Sequence, residues 1–275
     1  MKKKRILVPV DFSQHSEYAL EVAAALAKKK DSEIIVLHML GLSEAMFTKD
    51  EAQEFMEATY FMRLAKKRFG TFLDKPYLDG IVVKEMIQNY KVFGEINQVA
   101  QEQDAYLIVM GSHGTAGLSE IFVGSNTEKV VRTSEVPVLV VKERKPNFEI
   151  KKMVFASDFK NKGLLTFREA KRFADYFGAE FHPIFINLPG DNYLSTKDAD
   201  HRINGFLEKL GLKMPVNIYN DYSVEKGVLN YGQEINADVV GVATHGRKGL
   251  AHFFMGSIAE DMANHSNTPV ITFKI

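Results

Sequence analysis

"RILVPVDFS", Arg5–Ser13, decides the fold. Ile6–Val10 is a short apolar run and reads as a buried strand. Asp11 and Phe12 end it, and Ser13 is the expected N-cap of a helix carrying Ala19, Val22, Ala23 and Leu26 on one face. The same phrase returns as "KMVFASDFK", Lys152–Lys160, 147 positions later. Two more pairs follow, each at a separation of 132: "MGSHGTAGL" (Met110–Leu118) with "VATHGRKGL" (Val242–Leu250), and "SEVPVLVV" (Ser134–Val141) with "SNTPVITF" (Ser266–Phe273). The chain is therefore an internal duplication. The separation falls by 15, so the first copy carries about that many extra residues, placed around 41–60. "KERKPNF", Lys142–Phe148, is charged, contains Pro146 and reads as the linker. The expected domains are 1–143 and 144–275.

Within the first copy the apolar runs Ile6–Val10, Glu33–Leu40, Ile81–Met86, Tyr106–Met110 and Pro137–Val141 alternate with the helix after Ser13 and with helical patterns over about 50–68, 92–103 and 118–132. The second copy repeats the order and ends on Val270–Lys274. Apolar strands separated by helices need right-handed crossovers and a parallel sheet covered on both faces. The expected fold class is α/β: two tandem doubly wound domains, each a five-stranded parallel sheet with helices on both faces. The last strands, Pro137–Val141 and Pro269–Phe273, are apolar on both faces, as a covered edge demands. The copies are expected to face each other there as an intramolecular pseudo-dimer, and a further homodimer is left open.

Composition narrows the function. Thirty-five basic and 35 acidic residues leave no net charge, so broad attraction to nucleic acid or an anionic membrane is not indicated. No apolar run reaches bilayer length, and the opening MKKKR leads into a strand, not into a signal sequence. The absence of cysteine excludes disulfides and thiolate chemistry and fits a reducing cytoplasm, the expected location.

Gly111, Gly114 and Gly124 stand at G-x2-G-x9-G spacing, followed by Ser125, just after the fourth strand. In an open parallel sheet, ligands bind beyond the carboxyl ends of the strands, where the order reverses. A glycine there permits close backbone approach or positive φ, and the following helix turns free N–H groups toward an anion. Asp11 would suit the ribose or adenine end of a nucleotide. The bland alternative is a strand-to-helix turn with close packing. The motif is not a Walker A loop, since no Lys follows in GK[ST] form, nor is it G-x-G-x-x-G.

"VPVD" (Val8–Asp11), "LHM" (Leu37–Met39) and "MGSHGTAGLSEIFVGS" (Met110–Ser125), followed by "VPVLVV", resemble the universal stress protein family, and the second half resembles it too. The resemblance implies an ATP-binding stress-response protein, with ADP or AMP as alternatives and Mg accompanying ATP; the lack of a positioned base in the sequence implies at most slow hydrolysis. It places Pro9, Asp11 and Met39 at the adenine end, and Gly111, Gly114, Gly124, Ser125 and Asn126 at phosphate and ribose. In the second half Asp158, Ile186, Gly246, Gly256 and Ser257 correspond, but Ala243 replaces the first glycine and Ala156 the proline, while Pro183 and Asn187 change the adenine wall. The first site therefore ranks above the second.

Other residues read more simply. His113 and His245 recur before the second glycine and read as turn-fixing imidazoles. The remaining histidines show no ligand spacing, so no metal site is expected. Arg247 and Lys248 read as solvated loop charges, and Asp104 and Asp238 mark strand starts. Met46, Phe47, Phe55, Met56, Tyr60, Phe61 and Met62 read as core contacts of an amphipathic helix, with a partner or lipid surface as the alternative. No Ser/His/Asp set or carboxylate pair marks a catalytic centre. The competing functions are a nucleotide-independent scaffold with an unknown protein partner, and an enzyme of the adenine-nucleotide α/β group. Against the enzyme, "DFSQHS" stands where a pyrophosphatase-type Ser-Gly-Gly loop would be.

Overall fold

The computed structural model describes residues 3–40, 51–89, 95–112, 125–244 and 267–275. The first half runs β1 (Arg5–Val10), α1 (Gln14–Lys30), β2 (Glu33–Leu40), α2 (Glu51–Phe72), β3 (Val83–Asn89), α3 (Glu95–Glu102), β4 (Ala105–Gly111), α4 (Ser125–Thr133) and β5 (Val138–Val141). The second half runs β6 (Lys152–Ala156), α5 (Leu164–Phe177), β7 (Glu180–Asn187), α6 (Thr196–Leu210), β8 (Asn217–Asn220), α7 (Val224–Glu234), β9 (Val239–Thr244) and β10 (Val270–Lys274). The strands form one sheet in the order β3-β2-β1-β4-β5-β10-β9-β6-β7-β8. Each half is parallel within itself. The halves join through an antiparallel pairing of β5 with β10, Leu139 opposite Ile271.

Local chemistry explains the elements. The Ser13 hydroxyl accepts from Ser16 N, capping α1, whose Ala19, Leu20, Val22, Ala23 and Leu26 are fully buried. Asp31 and Gly178, 147 apart, end α1 and α5 in the left-handed conformation that a C-cap requires. Asp104 and Asn236, 132 apart, share positive φ in the turns entering β4 and β9. The Asp238 carboxylate accepts from Lys151 N and Lys152 N, both at 2.8 Å, and ties the start of β6 to β9.

The two faces of the sheet differ. Beneath one, α1, α2, α5 and α6 share a single apolar core that runs through both halves. Beneath the other, α3 and α4 cover one core and α7 another. The linker is part of the fold: Phe148 and Ile150 are buried in the shared core, and Arg144 makes a bidentate pair with Glu21 of α1 at 2.8 and 3.1 Å.

The core reading of the Met and aromatic residues around α2 fails at four positions. Met56 and Tyr60 are 72% and 64% exposed, and Phe61 and Met62 also face solvent. The core face of α2 is Ala65, Phe69 and Phe72. Met56, Tyr60 and Leu64, spaced four apart, fall on the opposite side of a 3.6-residue helix. Met46, Phe47 and the Phe55 side chain lie outside the described residues.

Candidate functional site

The strand order reverses between β1 and β4, which lie side by side while their crossovers leave in opposite directions. Their ladder stops at Leu7 opposite Ile108, yet β1 continues to Val10 and β4 to Gly111. The strands run on unpaired with each other beyond that point, and a reversal of strand order leaves a crevice at such carboxyl ends. Pro9, which has no N–H for a ladder, lies beyond the last β1–β4 pair and is buried.

Asp11 stands at the tip of β1 in a braced turn. Its Oδ1 accepts from Ser13 N at 3.0 Å and Ser16 Oγ at 2.6 Å, and its own N–H donates to Ser16 Oγ at 3.1 Å. Phe12 follows at φ 64°, a left-handed conformation uncommon for a side chain of that size. Its ring is held by His38, Phe69 and Phe72, with centroids at 4.5, 5.1 and 5.4 Å. His38 Nδ1 lies 2.8 Å from Val10 O, across the β1–β2 pair. A carbonyl only accepts, so that nitrogen carries a proton. Burial above all, aided by Arg68, pushes the His38 pKa down, against the opposing effects of the Val10 bond and Asp11. Met39, next along β2, is half-buried on the other face, against the core under α3 and α4.

On the far side of the crevice Gly111 ends β4. It does not have positive φ, and its neighbour is the protein itself. A Cβ there would meet the carbonyl carbon and oxygen of His15 at 2.7 Å. The first turn of α1 thus lies on this glycine and accounts for it without a ligand. His15 has its pKa lowered, chiefly by burial, with Lys142 adding and Asp11 opposing. The Thr127 hydroxyl, buried, donates to Gly111 O at 2.9 Å and seats the N-terminal turn of α4 on the end of β4. Ser125 opens that helix. Its side chain, that of Asn126, and Gly114, Gly124 and His113 lie outside the described residues.

The second half builds the corresponding place differently. Phe159 repeats the positive φ of Phe12 at 51°, and its ring meets Phe167, Phe185 and Phe206. Asp158 Oδ1 accepts from Lys160 N at 3.0 Å, and Lys162 stands 3.8 Å from Oδ2. Ile186 is buried against α7: a Cβ on Gly227 would meet its methyls at 2.9 Å. Buried Asn187 donates to Leu194 O and Asn220 Oδ1, both at 3.1 Å, and accepts from Leu194 N at 3.0 Å. The loop after β7 is thereby folded over that strand's end. Ala243 stands where Gly111 stands, half-buried, and here a 3-10 turn, Asn161–Gly163, precedes α5, which starts only at Leu164. Gly246, Gly256, Ser257, His245, Arg247 and Lys248 lie outside the described residues.

Two residues in this constellation escape sequence reading as site elements. His38 gives no spacing signal, because its partner is a main-chain oxygen on another strand. Thr127 looks like any helix residue until α4 is seated.

The sequence model described as "Universal stress protein family" matches residues 3–142 and 218–274, well over half of the chain. The chain belongs to the universal stress protein family. A universal stress protein of Methanocaldococcus jannaschii is 31% identical over 156 residues, covering 51% of this chain and 96% of the relative. Universal stress protein YxiE of Bacillus subtilis is 31% identical over 146 residues, 50% of this chain and 98% of the relative. These relatives thus match about half of this chain over nearly their whole length. A solved universal stress protein from Archaeoglobus fulgidus matches 98% of this chain and 96% of its own, with a TM-score of 0.66 and 24% identity, a likeness of fold. Among the described residues no group of three or more His, Asp or Glu is placed to hold a metal, and no helix is long and apolar enough to cross a membrane.

Proposed function

We propose that the first half of this universal stress protein binds an adenine nucleotide, ATP with Mg, in the crevice between the ends of β1 and β4, with ADP and AMP as competing ligands. The observation that carries the reading is the strand ends that run on unpaired with each other, with the braced Asp11 on one side and the α4 N-terminus seated by Thr127 on the other. Asp11 accepts from ribose or adenine, Pro9 and Met39 line the base, and the glycine loop with Ser125 and Asn126 takes phosphate. The helix N-terminus favours the negative charge. The division into domains falls at 143/144, just before Arg144 of the docked linker.

The protein acts as a cytoplasmic stress-response sensor or regulator. Its sequence offers no Ser/His/Asp set at the phosphate end, so turnover is slow. The second half is the weaker site, because Ile186 and Asn187 fill its strand ends with protein atoms. Ligand that binds only the folded state stabilises it, by about 2.7 kcal/mol at a hundredfold excess over Kd. Titrating Mg-ATP, ADP and AMP while following the melting temperature tests this. A rise of several degrees, abolished by Asp11→Ala, is expected; no shift at millimolar concentration of all three ends the reading.

A nucleotide-independent scaffold is the second reading. It is favoured by the α1 contact that accounts for Gly111 and by the exposed apolar residues of α2.

A further inference from the structure

We propose that His38 is a positioning residue of the nucleotide site: bonded to Val10 O and stacked on Phe12, it fixes the peptide that aims Asp11. The inference rests on the nucleotide reading above and names a group that does not touch the ligand.

The Val10–Asp11 peptide is held at both ends. Its carbonyl accepts from His38 Nδ1 at 2.8 Å, and its N–H donates to Ser16 Oγ at 3.1 Å. The Asp11 carboxylate then takes the Ser16 hydroxyl and Ser13 N, so its direction follows from the plane of that peptide. Phe12, next in the chain at φ 64°, has its ring 4.5 Å from the imidazole, centroid to centroid. A residue in a sparsely populated conformation persists only where its surroundings over-determine it. His38 supplies two of those constraints, one polar and one aromatic.

The duplicated half provides the control. Phe185 stands 147 positions after His38 and packs on Phe159 with centroids at 6.3 Å, so a phenyl ring fits beside this turn. Phenyl cannot reach a carbonyl with a proton. There the side-chain tie is local, Phe159 N donating to Ser157 Oγ at 3.1 Å, while Ser157 N keeps a main-chain bond to Ile184 O of β7 at 3.1 Å. The imidazole thus adds a side-chain bond from β2 to the end of β1 that the weaker site lacks.

His38→Phe keeps a ring and removes the donor. His38→Asn keeps a donor near the Nδ1 position and removes the ring. Binding of ATP and of inorganic tripolyphosphate by the full chain is measured by calorimetry. The expected result for His38→Phe is five- to twentyfold weaker ATP binding with tripolyphosphate unchanged within twofold, since only the nucleoside end is misaimed. His38→Asn is expected to recover to within threefold of the parent for ATP. A phenylalanine variant that binds ATP within twofold of the parent overturns the proposal. So does a parallel loss of ATP and tripolyphosphate, or an asparagine variant no better than phenylalanine. A parent protein that binds no adenine nucleotide overturns the site reading and this proposal with it. A parent that binds ATP regardless of Asp11→Ala overturns the aim assigned to His38 while leaving binding intact.

Discussion

Gly111 and His15 illustrate how one missing methyl sets a geometry. The Cβ that alanine would add meets main-chain atoms at 2.7 Å, which cannot swing aside. Gly111→Ala should therefore cost about 1–3 kcal/mol by overpacking. Ala243→Gly, at the matching place where a methyl is already present, should change stability by only about 0.5–1 kcal/mol. Urea unfolding of the two variants separates them, and equal costs would contradict the packing account. His15 and His38 also tie stability to pH. Both have pKa values depressed below the ordinary 6.5, so between that value and the folded value the unfolded chain binds more protons. Their contribution is complete above pH 6.5 and is lost as pH falls through that window. The melting temperature should drop as pH falls below about 6.5, and His38→Phe should make the drop shallower.

At the scale of the element, α2 packs through Ala65, Phe69 and Phe72 and leaves Met56 and Tyr60 exposed. Phe69 is fully buried and meets Phe12, whereas Tyr60 is 64% exposed. Phe69→Ala should cost about 3–5 kcal/mol, and Tyr60→Ala should stay within about 0.5 kcal/mol. Thermal or chemical unfolding checks both, and a large loss at Tyr60 would place that side chain in a packed interface. Residue types alone mislead here. Met, Phe and Tyr cluster in the first half of the helix, yet the core takes the stripe at 65, 69 and 72. The strands were easier to read. Glu33–Leu40 and Val270–Lys274 match their sequence bounds, since apolar runs between polar turns mark them. The third strand begins at Val83, not Ile81, because Ile81 N donates to Leu78 O at 3.1 Å and belongs to the turn after Pro76–Leu78.

For the whole molecule, the seam is the deciding feature. Leu139 and Ile271 pair across it and are fully buried. Tyr176 of α5 adds a second contact, under Lys4 at 3.9 Å and Lys30 at 4.9 Å. Leu139→Lys buries an unpaired charge there and should cost several kcal/mol. With one core running through both halves, it should lower the whole unfolding transition, not split off one half. Calorimetry showing an undisturbed second transition would contradict that. By itself the sequence determined the duplication, the α/β alternation, the covered last strands and the family, because periodicity, turn residues and motif order are local properties of a chain. Tertiary structure alone decided that the linker is docked, that one face of the sheet carries a common core, and that Gly111 answers to His15. It alone brought His38 to Val10. Those facts depend on which surfaces meet across 28 to 123 positions of chain, and no local pattern encodes the distance between two atoms that far apart in sequence.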